Sequence, residues 1–438
     1  MTYTIKDVLR LEVAPALGCT EPVAVALGAA AAAALLPGRE IDSIEVSLDP
    51  NVYKNGLSVS IPGSNGLSGL DTAAVIGALA GNPSLGMEVL DPVDEDDIER
   101  VKGFLKDRRV KLMVTEPLGL RIETTVRSGS DEARSLISKL HDNIESLWLN
   151  GKPQENHPLL SAKSSDGSNC MADLEDWLRG LSLDQLLALV EGLDQDDLDF
   201  LRQGMTYNLR LAQYGLKHGS GLAVGRTLES IARQGLLKRD MALAARILTS
   251  AAADARMAGI KLPAMSSAGS GNHGLTAILP LCAVRDFIHC DEHTLLEAMA
   301  FSHVVTAYIK AYTGRLSAVC GCSVAAGAGA TAGVTYMLGG QTKHIAGAVK
   351  ILTGDLAGII CDGAKNGCAI KLATAANSAV QAALFSLHGL EVNLMQGIVG
   401  NTMRQTSENL GALSTQGMVE TDRTILKIIM EKHFSPEE

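Results

Sequence analysis

Four of the eight cysteines in this chain of 438 residues lie within 49 residues of one another, in two glycine-rich stretches. Cys320 and Cys322 flank a glycine, while Cys361 and Cys368 enclose the sequence Asp-Gly-Ala-Lys-Asn-Gly. Thiolates are soft ligands for zinc or iron–sulfur clusters, and neighbouring glycines let the backbone approach a bulky inorganic group. The spacing is not that of zinc ribbons or ferredoxins. The pattern therefore indicates metal or redox chemistry, with thiols that merely pack among Ala and Gly as the alternative.

A fifth cysteine, Cys19, stands immediately before an alanine-rich apolar run. We expect Thr20 to cap the helix that begins here, with Glu21 and Pro22 in its first turn. The positive end of the helix dipole lowers the pKa of a thiol at this point and predicts a usable thiolate, although the Glu21 carboxylate opposes that shift. A capped helix start with an incidental cysteine is the alternative interpretation.

The segment Ser266–Gly274 matches the pattern Gly-x-Gly-x-x-Gly of dinucleotide-binding folds. That site requires a preceding β-strand, and the proline-containing segment Lys261–Met265 is a poor one. We interpret the loop instead as a cradle for a small carboxylate, formed by backbone N–H groups with Ser270, Asn272 and His273. A flexible loop between two helices is the alternative.

The overall charge excludes several classes of partner. The 38 Lys and Arg residues against 49 Asp and Glu give a net charge of −11, and no basic run is present to bind nucleic acid or an anionic membrane. The segment Met1–Val13 lacks the layout of a secretory signal, so we expect a reducing, cytoplasmic location without disulfides. The charge-free segment Leu316–Thr342 is long enough for a membrane helix. It is rich in Gly, Ser and Thr, which favours a buried helix of a helical domain.

Apolar periodicity predicts an α+β fold: a mixed α/β domain over residues 1–150, a polar linker over 151–170, and a larger all-α domain over 171–438. Helices within 317–338 and 369–387 are apolar all round, which is typical of central helices wrapped by others. The predicted strands are Ile41–Leu48, Gly56–Pro62, Val110–Val114 and Leu120–Val126.

Four motifs together resemble the L-cysteine desulfidase family, whose members are relatives of the iron–sulfur-dependent L-serine dehydratases. They are Ala16–Pro22, Ser266–Gly274, Arg315–Cys322 and Ile360–Cys368, in this order over most of the chain. The resemblance implies a β-eliminating lyase that converts L-cysteine to pyruvate, ammonia and sulfide. In such an enzyme the substrate heteroatom binds the open iron of a [4Fe–4S] cluster while a base removes the Cα proton.

The resemblance also implies roles for individual residues. Cys361 and Cys368 match two of the three cluster ligands. The match of the Gly-Cys pair to the dehydratases' Gly-Cys-Gln motif favours Cys322 as the remaining ligand, while the residue count to Cys361 tolerates Cys320. Cys19 matches the proton acceptor proposed for the family. Since Cys19 and Cys361 are far apart in sequence, the two domains must close the site between them.

Three alternatives remain open from the sequence. One is an L-serine or related dehydratase acting by the same mechanism, although the dehydratases carry Ser-Ser-Ser-His where this chain has Leu17–Thr20. Another is a pyridoxal-phosphate lyase of the same net reaction, with Lys365 or another lysine as the Schiff base. The third is a non-enzymatic zinc or iron–sulfur protein. The expected partner is a small amino acid, with a homodimer as the candidate assembly.

Overall fold

The computed structural model describes residues 2–38, 40–115, 120–160, 167–315, 317–391 and 397–434. A mixed sheet dominates the first part of the chain and helices the remainder, so the predicted α+β class is confirmed. The strands are β1 (Pro15–Ala16), β2 (Ser43–Leu48), β3 (Val110–Val114), β4 (Arg121–Ser128), β5 (Asp131–Ser138), β6 (Ile144–Leu149), β7 (Lys152–Pro153) and β8 (Ala264–Met265).

The helices fall into two groups. Those before residue 150 are α1 (Ile5–Glu12), α2 (Thr20–Ala33), α3 (Pro50–Gly56), α4 (Leu70–Ala80) and α5 (Glu95–Lys106). The later ones are α6 (Gly167–Gly180), α7 (Leu183–Ala188), α8 (Gln195–His218), α9 (Val224–Arg233), α10 (Met241–Met257), α11 (Gly271–Arg285), α12 (Glu292–Thr313), α13 (Ala325–Met337), α14 (Thr342–Leu356), α15 (Cys368–Leu387), α16 (Met403–Ala412) and α17 (Val419–Phe434).

Six strands form the sheet of the N-terminal region, in the order β3-β2-β4-β5-β6-β7. The β2 and β3 strands run parallel, and the other neighbours are antiparallel. The inward side chains of β2 alternate as its sequence predicts, with Ile44, Val46 and Leu48 fully buried. Helix α2 lies on this sheet, where the Ser135 hydroxyl donates to the Gly28 carbonyl at 2.7 Å.

The strand predicted at Gly56–Pro62 is wrong. Asp49 caps α3 by accepting a hydrogen bond from the Asn51 backbone N–H at 2.8 Å, so helix already occupies the beginning of the predicted strand. Beyond the end of α3, the chain makes only an isolated bridge between Ser60 and Ser68. Strands β5 and β6, which the sequence analysis did not identify, complete the sheet instead.

Helices α12 and α13 lie at the centre of the helical region, and nearly all of their side chains are buried. The predicted central helices are thus present, although α13 is shorter than the segment 317–338 because the cysteine loop turns before Ala325. Helix α15 is the one helix among the described residues that is long and apolar enough to cross a membrane, and 61% of its apolar window is buried inside the protein.

The two ends of the chain pack on opposite parts of the molecule. Helix α1 belongs to the helical core, into which Ile5 and Leu9 are buried. Helix α17 packs through Leu426 and Ile429 on the core of the sheet. The domain boundaries at 150 and 171 stay a proposal, and residues 161–166 of the predicted linker lie outside the described residues.

The contact between α2 and α4 leads to a prediction about stability. A Cβ atom on Gly77 of α4 would lie 2.1 Å from the Ala26 carbonyl oxygen of α2. We expect Gly77→Ala to lower the free energy of unfolding by about 1–3 kcal/mol, because the two helices must separate. Gly103→Ala is the matched control: no atom lies within 4 Å of its Cβ position, and it should stabilise α5 by roughly 0.5–1 kcal/mol. Urea unfolding of the two variants measures both effects, and equal stabilities would contradict the prediction.

Candidate active site

A cavity of about 1130 Å³ lies between the sheet region and the helical region. Helices α2 and α3 contribute to one side of its wall, and α11, α12 and the two cysteine loops contribute to the other. All the predicted site residues line this cavity: Cys19, Ser270, Asn272, His273, Cys320, Cys322, Cys361 and Cys368. The structure therefore brings together residues that are up to 349 positions apart, while their individual roles stay predictions.

Backbone hydrogen bonds hold the two cysteine loops side by side. The Cys320 N–H donates to the Ile359 carbonyl at 2.8 Å, and the Cys361 N–H donates to the Ala318 carbonyl at 2.6 Å. These bonds surround an antiparallel bridge that keeps both loops in register. Cys368 begins α15, so its thiol lies at a helix N-terminus. The loop geometry thus fixes three of the four thiols relative to one another before any ligand binds.

The four thiols differ in their tendency to ionise. A hydrogen bond from the Cys322 thiol lowers the pKa of Cys320 to about 6, against the effect of burial, and the same bond raises the pKa of Cys322. The Ser323 hydroxyl also donates to the Cys320 sulfur, at 3.4 Å. Burial raises the pKa of Cys361, and it raises that of Cys368 to about 12. Burial outweighs the positive charges of Lys54 and Lys371 near Cys361, so the two later cysteines ionise less readily than an ordinary thiol.

The donor set fits a cluster better than a single ion. Within the described ranges, no three His, Cys, Asp or Glu side chains converge closely enough to hold one metal ion. The cysteines of an iron–sulfur cluster bind different irons, so they must stand apart around a common volume, as these thiols do. Gly363, in the second cysteine loop, has a φ of +89°, and the Lys54 carbonyl oxygen lies 2.1 Å from its Cβ position, so the packing of this loop against α3 requires glycine.

The helix after Cys19 begins one residue earlier than expected. It is itself the N-cap of α2, and Thr20 is the first helical residue. Its pKa is raised rather than lowered, because burial outweighs the positive charge of Arg256 and the helix dipole. The Cys19 thiol therefore ionises only at high pH unless a ligand brings further positive charge.

The glycine-rich segment Ser266–Gly274 follows the short strand β8, which pairs with β1, and it includes the N-terminus of α11. Ser270 is the N-cap of α11, and its hydroxyl makes no capping bond to the helix. The N–H groups of Gly271, Asn272 and His273 lie in the first turn, where an α-helix leaves its donors unpaired. The anion cradle expected there stays a prediction, and the described residues form no βαβ unit around this segment.

Comparison with known proteins identifies the family. Residues 86–427 match the model of the serine dehydratase alpha chain. The chain belongs to the serine dehydratase alpha chain family. Enzymes of this family are dehydratases or related lyases and are generally iron–sulfur dependent, so the predicted relationship to the iron–sulfur dehydratases is confirmed.

Relatives of the family share the full length of the chain. A UPF0597 protein of Desulfatibacillum aliphaticivorans is 57% identical, with 100% of both chains covered. Another from Desulfotalea psychrophila is 56% identical over 99% of each chain, and one from Clostridioides difficile is 41% identical over 97% of this chain and 98% of its own.

Three cationic side chains that the sequence analysis did not assign to the site line the same cavity. Arg256 of α10 is 3% exposed; it donates to the Asn272 side-chain oxygen at 3.0 Å and to the Gly18 carbonyl at 2.6 Å. Lys310 of α12 is 4% exposed, and burial lowers its pKa to about 8. Lys54 of α3 pairs with Asp422 at 2.5 Å. A site in this family that binds anionic groups gains from such buried positive charge.

Three other charged or reactive side chains are engaged by neighbouring carboxylates or buried in the helical core. Lys365 pairs with Asp362 and is not among the residues that line the cavity, so the pyridoxal-phosphate alternative would need another lysine there. Arg315 lines the cavity, and its guanidinium is engaged by the carboxylates of Glu12 and Glu175. Cys282 is buried in the helical core, where burial raises its pKa to about 12.

Proposed function

We propose that this protein is an L-cysteine desulfidase, which converts L-cysteine and water to pyruvate, ammonia and hydrogen sulfide. The observation that carries the proposal is the shared cavity, in which the Cys19 thiol at the start of α2 faces the loops of Cys320, Cys322, Cys361 and Cys368. Family membership supports a lyase, and the four motifs support cysteine as its substrate. We place the reaction in the cytoplasm, where the eight free cysteines of the chain stay reduced.

The N-terminus of α11 binds the substrate carboxylate in this proposal. The free N–H groups of the first turn and the Ser270 hydroxyl are hydrogen-bond donors that face the cavity. The Asn272 side chain orients this turn, because its oxygen accepts from the buried Arg256 guanidinium. Arg256 adds a positive charge behind the cradle, which strengthens carboxylate binding in a cavity largely shielded from water.

Cys19 removes the proton from Cα. Its place at the N-cap of α2 directs the thiol into the cavity, and Arg256 favours the thiolate by its charge and by a hydrogen bond. Burial opposes ionisation, so the base is most effective on the alkaline side of neutrality. After β-elimination, aminoacrylate tautomerises and is hydrolysed by water without further help from the chain.

Cys361, Cys368 and Cys322 would hold the cluster, with Cys320 as the alternative to Cys322. When bound, a [4Fe–4S] cluster supplies an open iron as the Lewis acid for the departing sulfur. Cys322 packs against the apolar group that contains Cys19 and Cys368, whereas the Cys320 sulfur accepts the Ser323 hydroxyl. The choice of Cys322 as the ligand rests on the match of the Gly-Cys pair to the motif of the dehydratases.

The proposal is tested with anaerobically reconstituted protein and separate incubations with L-cysteine and L-serine. We expect L-cysteine to release sulfide and pyruvate in equal amounts, and Cys290→Ser, remote from the cavity, to behave as the wild type. Pyruvate from L-serine alone would make the protein a serine dehydratase, the second candidate that the family match favours. Release from neither substrate by a protein that carries its full iron and sulfide would contradict an enzymatic function.

A further inference from the structure

The imidazole of His273 makes a hydrogen bond through Nδ1, and no hydrogen bond is seen at Nε2 among the described residues. Its Nδ1 atom lies 3.1 Å from the Ser267 carbonyl oxygen, and the side chain is 6% exposed. A carbonyl oxygen can only accept a hydrogen bond, so Nδ1 must carry the proton. Burial, assisted by the nearby Lys310 charge, lowers the pKa of His273 to about 3. The imidazole is therefore neutral, and Nε2 carries a lone pair.

The open nitrogen faces the cavity beside the first cysteine loop. The Nε2 atom lies 2.5 Å from the position of a Cβ on Gly321, the residue between Cys320 and Cys322. The Lys310 ammonium is 3.3 Å from the same position but donates to the Arg315 carbonyl at 3.0 Å. A buried hydrogen-bond acceptor thus lies in the cavity wall beside Gly321, and the carboxylates of Glu12 and Glu21 are further acceptors in the same wall.

A second histidine fixes the segment that holds His273. The His303 Nδ1 atom lies 2.9 Å from the Ser267 hydroxyl, and both residues are fully buried. The Ser267 carbonyl also accepts the Ser270 N–H at 3.1 Å. Ser267 is therefore anchored from α12 on one side and from the start of α11 on the other, which fixes the direction of its carbonyl.

We propose that His273 binds the ammonium group of the substrate through Nε2, and that Ser267 and His303 are positioning residues that hold it as an acceptor. The proposal rests on an amino acid being the substrate. The neutral Nε2 atom accepts a hydrogen bond without taking up the proton. The substrate ammonium keeps its proton when it donates such a bond, whereas the substrate thiol loses its proton in the reaction, so the ammonium is the better match. A neutral Nε2 cannot donate to a carboxylate, so the carboxylate is left to Ser270 and the backbone N–H groups.

Binding of unreactive ligands to the reconstituted protein tests the contact with substrate. L-Alanine and propionate differ only in the amino group on Cα, whereas 3-mercaptopropionate differs from propionate by a thiol on Cβ, where L-cysteine carries its own. We expect the wild type to prefer L-alanine over propionate about tenfold to a hundredfold, as for a hydrogen bond to a charged group. His273→Asn keeps a donor for the Ser267 carbonyl and removes the acceptor, so this preference should disappear. His388→Asn is the control, since the His388 Nδ1 contacts the Leu384 carbonyl at 2.8 Å on the surface.

The outcomes separate the two proposals. If His273→Asn retains the preference for L-alanine, the ammonium assignment is wrong and the proposed function stands. If it loses instead a preference for 3-mercaptopropionate over propionate, His273 binds the thiol. A wild type that binds L-alanine no better than propionate contradicts both an amino-acid substrate and this contact.

The positioning role of Ser267 and His303 is tested separately, by the tautomer of His273. Nitrogen-15 NMR of histidine-labelled protein without substrate should show His273, identified by its loss in His273→Asn, with the proton on Nδ1. Ser267→Ala keeps the carbonyl but removes the contact with His303, and we expect it to populate the other tautomer. An unchanged His273 spectrum in Ser267→Ala would remove Ser267 and His303 from this role.

Discussion

The double replacement of Cys361 and Cys368 by serine is expected to abolish nearly all binding of iron and sulfide after anaerobic reconstitution. A serine hydroxyl is a hard, weakly acidic donor, and a cluster left with one or two thiolates is not retained. The fold should survive, because serine is close to cysteine in size and Cys361 contributes its backbone N–H, not its thiol, to the bond with Ala318. Iron and acid-labile sulfide analysis measures the effect, with Cys282→Ser in the helical core as the control.

The same measurement on single variants identifies the remaining ligand. Cys322→Ser should empty the site, whereas Cys320→Ser should retain the iron and perturb only its environment. The reverse result would make Cys320 the ligand. Wild-type iron and sulfide content in the double variant of Cys361 and Cys368 would overturn the cluster assignment as a whole.

Replacing Cys19 with serine is expected to reduce kcat by about 10²–10⁴-fold, the usual contribution of a general base. Serine matches the thiol in shape, but its hydroxyl is far too weak a base to accept a Cα proton. Cluster content should remain that of the wild type, because Cys19 belongs to α2 and not to the cysteine loops. Steady-state pyruvate release, normalised to iron, measures the change.

The pH dependence of the activity tests the role of Cys19 in a second way. Burial raises the pKa of Cys19, so wild-type activity should increase as pH rises through and above neutrality, as the thiolate forms. Cys19→Ser should lose this acidic limb, while Cys290→Ser should retain it. If Cys19→Ser lost its iron while Cys320→Ser and Cys322→Ser each kept theirs, Cys19 would be a ligand and the base would lie elsewhere.

The helices were the most predictable part of the fold, because apolar spacing determines which face is buried. Helix α5 shows this, because Ile98, Val101 and Phe104 recur at helical spacing and form its buried face. The alternation of Leu57, Val59 and Ile61 was misleading. These side chains are buried or half-buried in a segment that leaves α3 and turns, so burial on alternate positions did not require strand pairing.

Within the site, motifs located the thiols and the cradle but not the charges around them. Lys310 is the one Lys, Arg, Asp or Glu between Glu297 and Arg315, and this isolation in an apolar helix was the available signal. The sequence signal for Arg256 was weaker, because Asp254 lies two residues away and the two residues resemble an ordinary surface ion pair. In the structure Asp254 instead accepts the Gly225 N–H at 3.0 Å, a long-range contact that local spacing cannot reveal.

Helix α17 has a consequence for how the molecule is made. Its residues complete the cavity wall, and Asp422 is the counter-charge of the buried Lys54 from near the opposite end of the chain. While a ribosome is still translating the helical region, that ammonium has no carboxylate beside it, and a buried charge without its pair is costly. The cavity wall is therefore complete only after α17 has left the ribosomal exit tunnel. Nascent chains stalled before Asp422 lack this part of the cavity wall and the carboxylate that pairs with Lys54.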